Sequence, residues 1–132
     1  MADGPPGITG TIRAILYPGP DIAACLPFYR DGLGLPVRFT DGDRFAALDG
    51  GAVTLALASG DEDVTGGVPA IAVEVADVGA AVADLAARGA RVIRPPERGP
   101  HETRAAVLDP AGNPVVLTAR RPADRDRPGG AR

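Results

Sequence analysis

The chain has 132 residues, 45% hydrophobic and 23% charged, enough for one globular domain or for two very small modules sharing a core. Fourteen basic residues against seventeen acidic ones leave a net charge of -3, which argues against a nucleic-acid partner, since such proteins carry a basic footprint. No apolar run approaches the roughly 18 residues that span a bilayer, and the one cysteine, Cys25, makes neither an internal disulfide nor a thiolate metal site by itself. With no basic start and apolar stretch in residues 1–10, a soluble, cytoplasmic protein without a membrane partner is expected. All basic residues are Arg, and Lys, Gln and Trp are absent, a bias expected of a GC-rich genome such as an actinobacterial one.

In chain order, residues 1–7 are rich in Gly and Pro and predict a disordered start. Residues 11–17 alternate as a strand. Asp21 then reads as a helix N-cap, and Ile22, Cys25, Leu26 and Tyr29 follow on one helical face over residues 21–30. Pro27 interrupts that helix and Gly32-Leu33-Gly34 stops it. Short β runs follow at 37–40, 45–48 and 52–58, the last two separated by Asp49-Gly50-Gly51. Residues 59–68, with Asp61, Glu62, Asp63, Gly66 and Gly67, read as a linker.

The plan then repeats. A strand at 70–75 precedes Asp77, a second N-cap, and a helix over 77–88 with Val78, Ala81, Val82 and Leu85 on one face. Strands at 91–94, 104–108 and 114–119 follow, with the turn Asp109-Pro110-Ala111-Gly112-Asn113 before the last; Asn113 is expected in a left-handed conformation. The fold class is therefore α+β: two tandem βαβββ modules, 8–58 and 69–119, in one domain of residues 8–119. Eight strands should form a curved cleft. The tail 120–132 holds five Arg and two Asp, a balance of +3, and is expected to be a disordered basic segment. Along each strand the large side chains alternate with small ones, so one sheet face should pack under the helices and the other stay small and polar. A module of about fifty residues cannot stand alone, so the halves must pair, within one chain or between chains.

The segments Asp21…Phe28-Tyr29-Arg30-Asp31-Gly32-Leu33-Gly34-Leu35, Val73-Glu74-Val75-Ala76-Asp77-Val78 and Asp109-Pro110-Ala111-Gly112-Asn113 resemble the vicinal oxygen chelate superfamily. It includes glyoxalase I, bleomycin-resistance proteins and extradiol dioxygenases. The resemblance implies a divalent metal held by His, Gln or Glu on the first and last strand of each module. Those positions fall here on Ala14, Thr54, Ala70 and Val116. Three of them have no donor atom and a neutral Thr hydroxyl is a poor ligand, so no metal and no other cofactor is expected.

Among the remaining polar groups, His101 reads either as an acid–base or stacking group at the cavity mouth or as an exposed loop residue. Arg44 and Arg104, sixty residues apart, either clamp an anion or point outward from their strands. Glu74 either faces the cavity or hydrates at its rim. Thr54 and Thr118 offer hydroxyls or fill space, and Phe45, Phe39 and Tyr17 either stack on a ligand or pack in the core. Cys25 reads as a small core residue before a reactive thiol.

These residues predict a metal-free binding protein of the bleomycin-resistance type, holding a natural product or antibiotic through Thr54, Glu74, His101, Arg104, Arg44 and Phe45. The alternatives are a metal-independent isomerase, lyase or cyclase using His101 and Glu74, and a protein whose cavity has closed and whose role is association. A homodimer is expected, because sheet faces and edges are left for a second copy. The ordered body carries nine Arg against fourteen acidic residues, a balance of -5, which favours a neutral or cationic ligand. Guanidiniums facing the cleft would instead favour a carboxylate or phosphate.

Overall fold

A computed structural model describes residues 9–99 and 102–120. The first half comprises β1 (Thr11–Pro18), α1 (Ile22–Pro27), β2 (Val37–Asp41), β3 (Phe45–Asp49) and β4 (Thr54–Ala58). The second comprises β5 (Ala70–Glu74), α2 (Val78–Ala87), β6 (Arg91–Arg98), β7 (Glu102–Leu108) and β8 (Pro114–Arg120). All eight strands join one sheet in the order β2-β3-β4-β1-β5-β8-β7-β6. β1 runs parallel to β4, and β5 parallel to β8, while β1 and β5 pair antiparallel at the seam between the halves. The βαβββ plan occurs twice, and the halves pair within one chain.

Both helices start as their caps dictate. Asp21 and Asp77 sit in extended backbone, and their carboxylates accept from the free amides of Ala24 and Ala80, each at 3.0 Å. α2 then buries Val78, Ala81 and Val82 against Val75, Ala105, Val107 and Leu117. α1 is shorter than its pattern predicts. It ends at Pro27 and passes into a wide π-type turn, Phe28–Gly32, closed by the Leu33 amide on the Phe28 carbonyl at 3.0 Å. Proline cannot donate to the ladder, so the chain widens there instead of continuing as α-helix. Ile22 is buried with Ala46, Leu48 and Leu57, and Leu26 and Tyr29 pack against them.

Several strand ends differ from the sequence pattern: β4 starts at Thr54 and β7 already at Glu102. β6 continues through Pro95-Pro96 to Arg98, because it is an outer strand and an edge tolerates missing amides; its register with β7 shifts between Arg94 and Glu97. β8 runs through Arg120, which was expected to begin the tail. In the closing turn Gly112 takes the left-handed region (φ 91°). Asn113 donates its backbone and side-chain N–H groups to Asp109 at 2.8 and 3.2 Å. Residues 1–8, 100–101 and 121–132, which include His101 and the expected disordered ends, lie outside the described residues.

Residues directly opposite in a ladder share a sheet face. The register therefore puts Leu48, Leu55, Ile15, Ile71 and Val115 on the helix side. Ala14, Thr54, Ala72, Val116 and Ala106 lie on the helix-free side. On β4 and β5 the large aliphatic side chains lie under the helices and the small or polar ones face away, as the alternation predicts, while Leu16, Val116 and Phe45 put larger groups on the helix-free side.

Candidate functional site

The helix-free face is built in rows. One runs Thr54–Ala14–Ala72–Val116–Ala106 across β4, β1, β5, β8 and β7. The next runs Thr11–Glu74–Thr118–Arg104. Glu74 and Arg104, both singled out from sequence, thus stand on one row with the Thr118 position between them.

Glu74 is not a free carboxylate. A β-bulge between Ile12 and Ala14 re-aims Arg13, whose Nε donates to Glu74 at 2.8 Å, and Arg120 Nε donates to the other carboxylate oxygen at 3.2 Å. Burial pushes the Glu74 carboxyl up, but the Arg13 hydrogen bond and the charges of Arg120 and Arg13 outweigh it and leave the group below its usual range. Glu74 borders a groove of about 360 Å³ shared with Thr9, Val75, Ala76 and Arg120.

The linker does not merely join the halves. After a short 3₁₀ turn at Gly60–Glu62 it folds over the helix-free side of the second half. Val64 is buried there, 6% exposed, on Ala70, Ala72, Ala106 and Val116. Glu62 reaches Arg104 on β7 at 3.4 Å from Nη1. The Arg104 Nε is buried with no hydrogen-bond partner among the described residues. Sequence reasoning passed over Glu62 and Val64; the available signal was one large aliphatic side chain inside an acidic, glycine-rich stretch.

On the first half of the same face the outermost strands are more open, though Ala56 and Ala58 on β4 are buried. Phe39 is 55% exposed and its ring lies 6.2 Å from that of Phe45. Arg38 reaches both Asp49 (3.2 Å) and the Thr54 hydroxyl (3.4 Å). Arg44 stands on the other half of the sheet from Arg104. It pairs with Asp41 at 2.6 Å across the β2–β3 turn, on the opposite wing of the sheet. The structure therefore puts Glu74 and Arg104 on one row and leaves Thr54, Phe45 and Arg44 on the other half of the sheet.

Cys25, expected in the core, is exposed. It lies at the margin of a groove of about 420 Å³ between α1 and the sheet, beside Tyr17, Ile22, Tyr29 and Leu57. This groove is on the helix side and separate from the rows above.

A divalent metal does not fit the four positions that the family resemblance assigns to ligands. Ala14, Ala70 and Val116 present hydrocarbon, Thr54 presents one neutral hydroxyl, and Val64 packs onto Ala70 and Val116. Among the described residues no three His, Cys, Asp or Glu side chains converge as a metal site.

Residues 11–117 match the model of the Glyoxalase/Bleomycin resistance protein/Dioxygenase superfamily. An uncharacterized protein of Mycolicibacterium smegmatis is 38% identical over 106 residues, 80% of this chain and 90% of that one. A variant of Streptomyces coelicolor methylmalonyl-CoA epimerase, in complex with 2-nitronate-propionyl-CoA, is similar at 30% identity with TM-score 0.65, covering 83% of this chain and 96% of the epimerase. A Legionella pneumophila structure described as an NAD-dependent benzaldehyde dehydrogenase shares the fold at TM-score 0.69 and 15% identity, over 82% of this chain and 98% of its own. With its repeated βαβββ modules and this match, the chain belongs to the glyoxalase/bleomycin resistance/dioxygenase superfamily, also called the vicinal oxygen chelate superfamily.

Proposed function

We propose that this protein binds a small organic molecule on its helix-free sheet face without a metal ion, in the manner of the bleomycin-resistance branch, and sequesters or carries it. The observation that carries this reading is that the ligand positions drawn from sequence, Ala14, Thr54, Ala70 and Val116, and the register equivalent of Val116 in the first half, Ala56, offer no set of side chains able to hold a cation. The aromatic pair of exposed Phe39 and half-buried Phe45, with the Thr54 hydroxyl and Arg38 nearby, supports it by offering apolar surface beside a few polar groups. A metal-independent enzyme using His101 and Glu74 draws less support. A general base needs a carboxylate ready to take a proton, and Arg13 and Arg120 hold Glu74 in its charged form.

The experiment is native mass spectrometry of the tag-free full chain as purified, with elemental analysis of the same sample. An intact organic molecule at stoichiometric level and no stoichiometric metal is the expected result; bound nickel, zinc, iron or manganese overturns the reading. A homodimer belongs to the same proposal. Phe28 and Leu33, both exposed just beyond α1, supply an apolar surface for a second copy. Sedimentation at micromolar concentration should give twice the 13.4 kDa chain mass, and a monomer counts against it.

A further inference from the structure

We infer that Glu62 is an internal competitor: its carboxylate occupies the place on Arg104 where a ligand's carboxylate or phosphate group binds, and ligand and linker exchange there. The inference rests on the proposed ligand site and names the chemical class that site takes.

Arg104 is the anchor. Its side chain is only 18% exposed, and it stands on the helix-free face with Thr118 directly opposite on β8. A guanidinium presents its N–H groups as a planar fork, and its favoured partner is an oxyanion gripped by two parallel bonds at about 2.7–2.9 Å. Glu62 gives it much less than that. One carboxylate oxygen approaches Nη1 at 3.4 Å, and Nε stays buried and unpartnered among the described residues. A buried donor without an acceptor is a standing demand for one. An oxyanion that engages Nε and an Nη together would meet it.

The neighbouring charges allow this. Glu74, two strands away on the same row, is held by Arg13 and Arg120 and so does not draw on Arg104. Glu97 lies opposite Arg104 on β6, but it pairs with Arg94 at 3.7 Å and its side chain is 63% exposed. The -5 balance of the ordered body is thus a poor guide to this place, where Glu74 and Glu97 are paired with other arginines and Glu102, two residues away on β7 and opposite Arg120, is not free either. The overall charge pointed to a neutral or cationic ligand, and the local geometry points to an anionic group.

The linker is built to let go at this point while staying attached elsewhere. Glu62 ends a single 3₁₀ turn that begins at Gly60 (φ 57°), and Gly66 and Gly67 also take positive φ. Val64 remains seated on Ala70, Ala72, Ala106 and Val116, and Thr65 ties the loop to Asp63 and to the Val68 carbonyl. Release of Glu62 needs its own side chain to turn away, without unseating Val64.

The test is calorimetric titration of the full chain with benzoate, inorganic phosphate and the neutral analogue benzamide. Benzoate or phosphate should bind the wild type measurably and benzamide should not; which anion binds tighter identifies the carboxylate or the phosphate as the natural group. Glu62→Gln should bind that anion roughly five- to tenfold tighter, because a site occupied by its own linker loses apparent affinity in proportion. Arg104→Lys should weaken it about tenfold, since an ammonium cannot grip two oxygens side by side. Equal affinity in wild type and Glu62→Gln overturns the competition, as does anion binding unaltered by Arg104→Lys. Glu62→Gln alone decides the matter if the Arg104 variant fails to fold. The two proposals fail separately. A co-purified organic molecule with no effect of Glu62→Gln removes only the competitor, whereas stoichiometric metal with tighter anion binding in Glu62→Gln removes only the metal-free reading.

Discussion

Ala14 on β1 and Ala72 on β5 stand directly opposite each other across the seam, and two residues on Leu16 stands opposite Ala70. Ala14 and Ala70 each precede their helix cap by the same interval, so these reciprocal pairs are what a local twofold through the seam requires. The same register corrects one correspondence drawn from sequence. Thr54 pairs with Ala14, but Val116 pairs with Ala72, so the first-half equivalent of Val116 is Ala56, opposite Leu16. Thr54 is two residues off the equivalence. The corrected position holds a methyl group, which removes even the single hydroxyl from the candidate ligand set.

Divalent metal should therefore leave stability unchanged. A ligand that binds only the folded state raises its unfolding temperature by mass action. Chelator-treated, tag-free protein titrated with zinc, nickel, cobalt or manganese should show the same thermal midpoint throughout. A saturable rise with any one of them would falsify the absence of a site.

Glu74 should make stability fall in acid. Its folded carboxyl is lowered, so the contribution is fully present above the unfolded value and is lost as pH drops through the folded one. Glu74→Gln should be less stable than wild type near neutrality, and the gap should close as the solution is taken below the ordinary Glu range of about 4.3. Urea denaturation of both proteins across that window reads it; a gap that widens in acid contradicts the Arg13–Glu74–Arg120 arrangement.

Val64→Ala should cost about 1–3 kcal/mol, the range for removing buried methyl groups from a packed site. The loss should be accompanied by faster amide exchange across residues 60–68, because Val64 is the buried hydrophobic side chain that seats this segment. Unchanged exchange would mean that the segment is held by its hydrogen bonds alone.

Asp77→Ala should cost about 1 kcal/mol in chemical denaturation, the usual value of a helix N-cap. Asp77→Asn, which keeps an acceptor for the Ala80 amide, should recover most of it. Equal losses in both would assign the effect to charge and not to the cap.

The caps at Asp21 and Asp77, the 3.6-residue pattern of α2 and the strand alternation were all legible, because each rests on interactions within a few residues. The π-type turn after Pro27 was less so: proline announces that the helix will be disturbed, not which hydrogen bonds replace it. β6 runs past Arg94, where the sequence pattern ends, through Pro95-Pro96; proline is a poor strand residue, and only the position of β6 at the sheet edge makes the pair acceptable. The site was harder still. Alternation puts Glu74 and Ala72 on one face, but pairing Glu74 with Arg13 and Arg120, or Glu62 with Arg104, needs contacts between residues 61, 46 and 42 positions apart. No local pattern encodes those. Val64 belongs to the same class, since a single aliphatic residue in a loop has no period to read.

The two consecutive prolines of β6 also act on the outside of the molecule. An outer strand offers its unused amides and carbonyls to any strand that drifts alongside, which is how sheets fuse into fibrils. Neighbouring amides in a strand point to opposite sides, so one of Pro95 and Pro96 leaves a missing donor on the solvent side, and the register shift there distorts the ladder further. A foreign strand would find no continuous rail to run along. Copies of this chain meeting at high concentration are thereby steered away from end-to-end fusion of their sheets at β6 and towards contacts between side-chain surfaces.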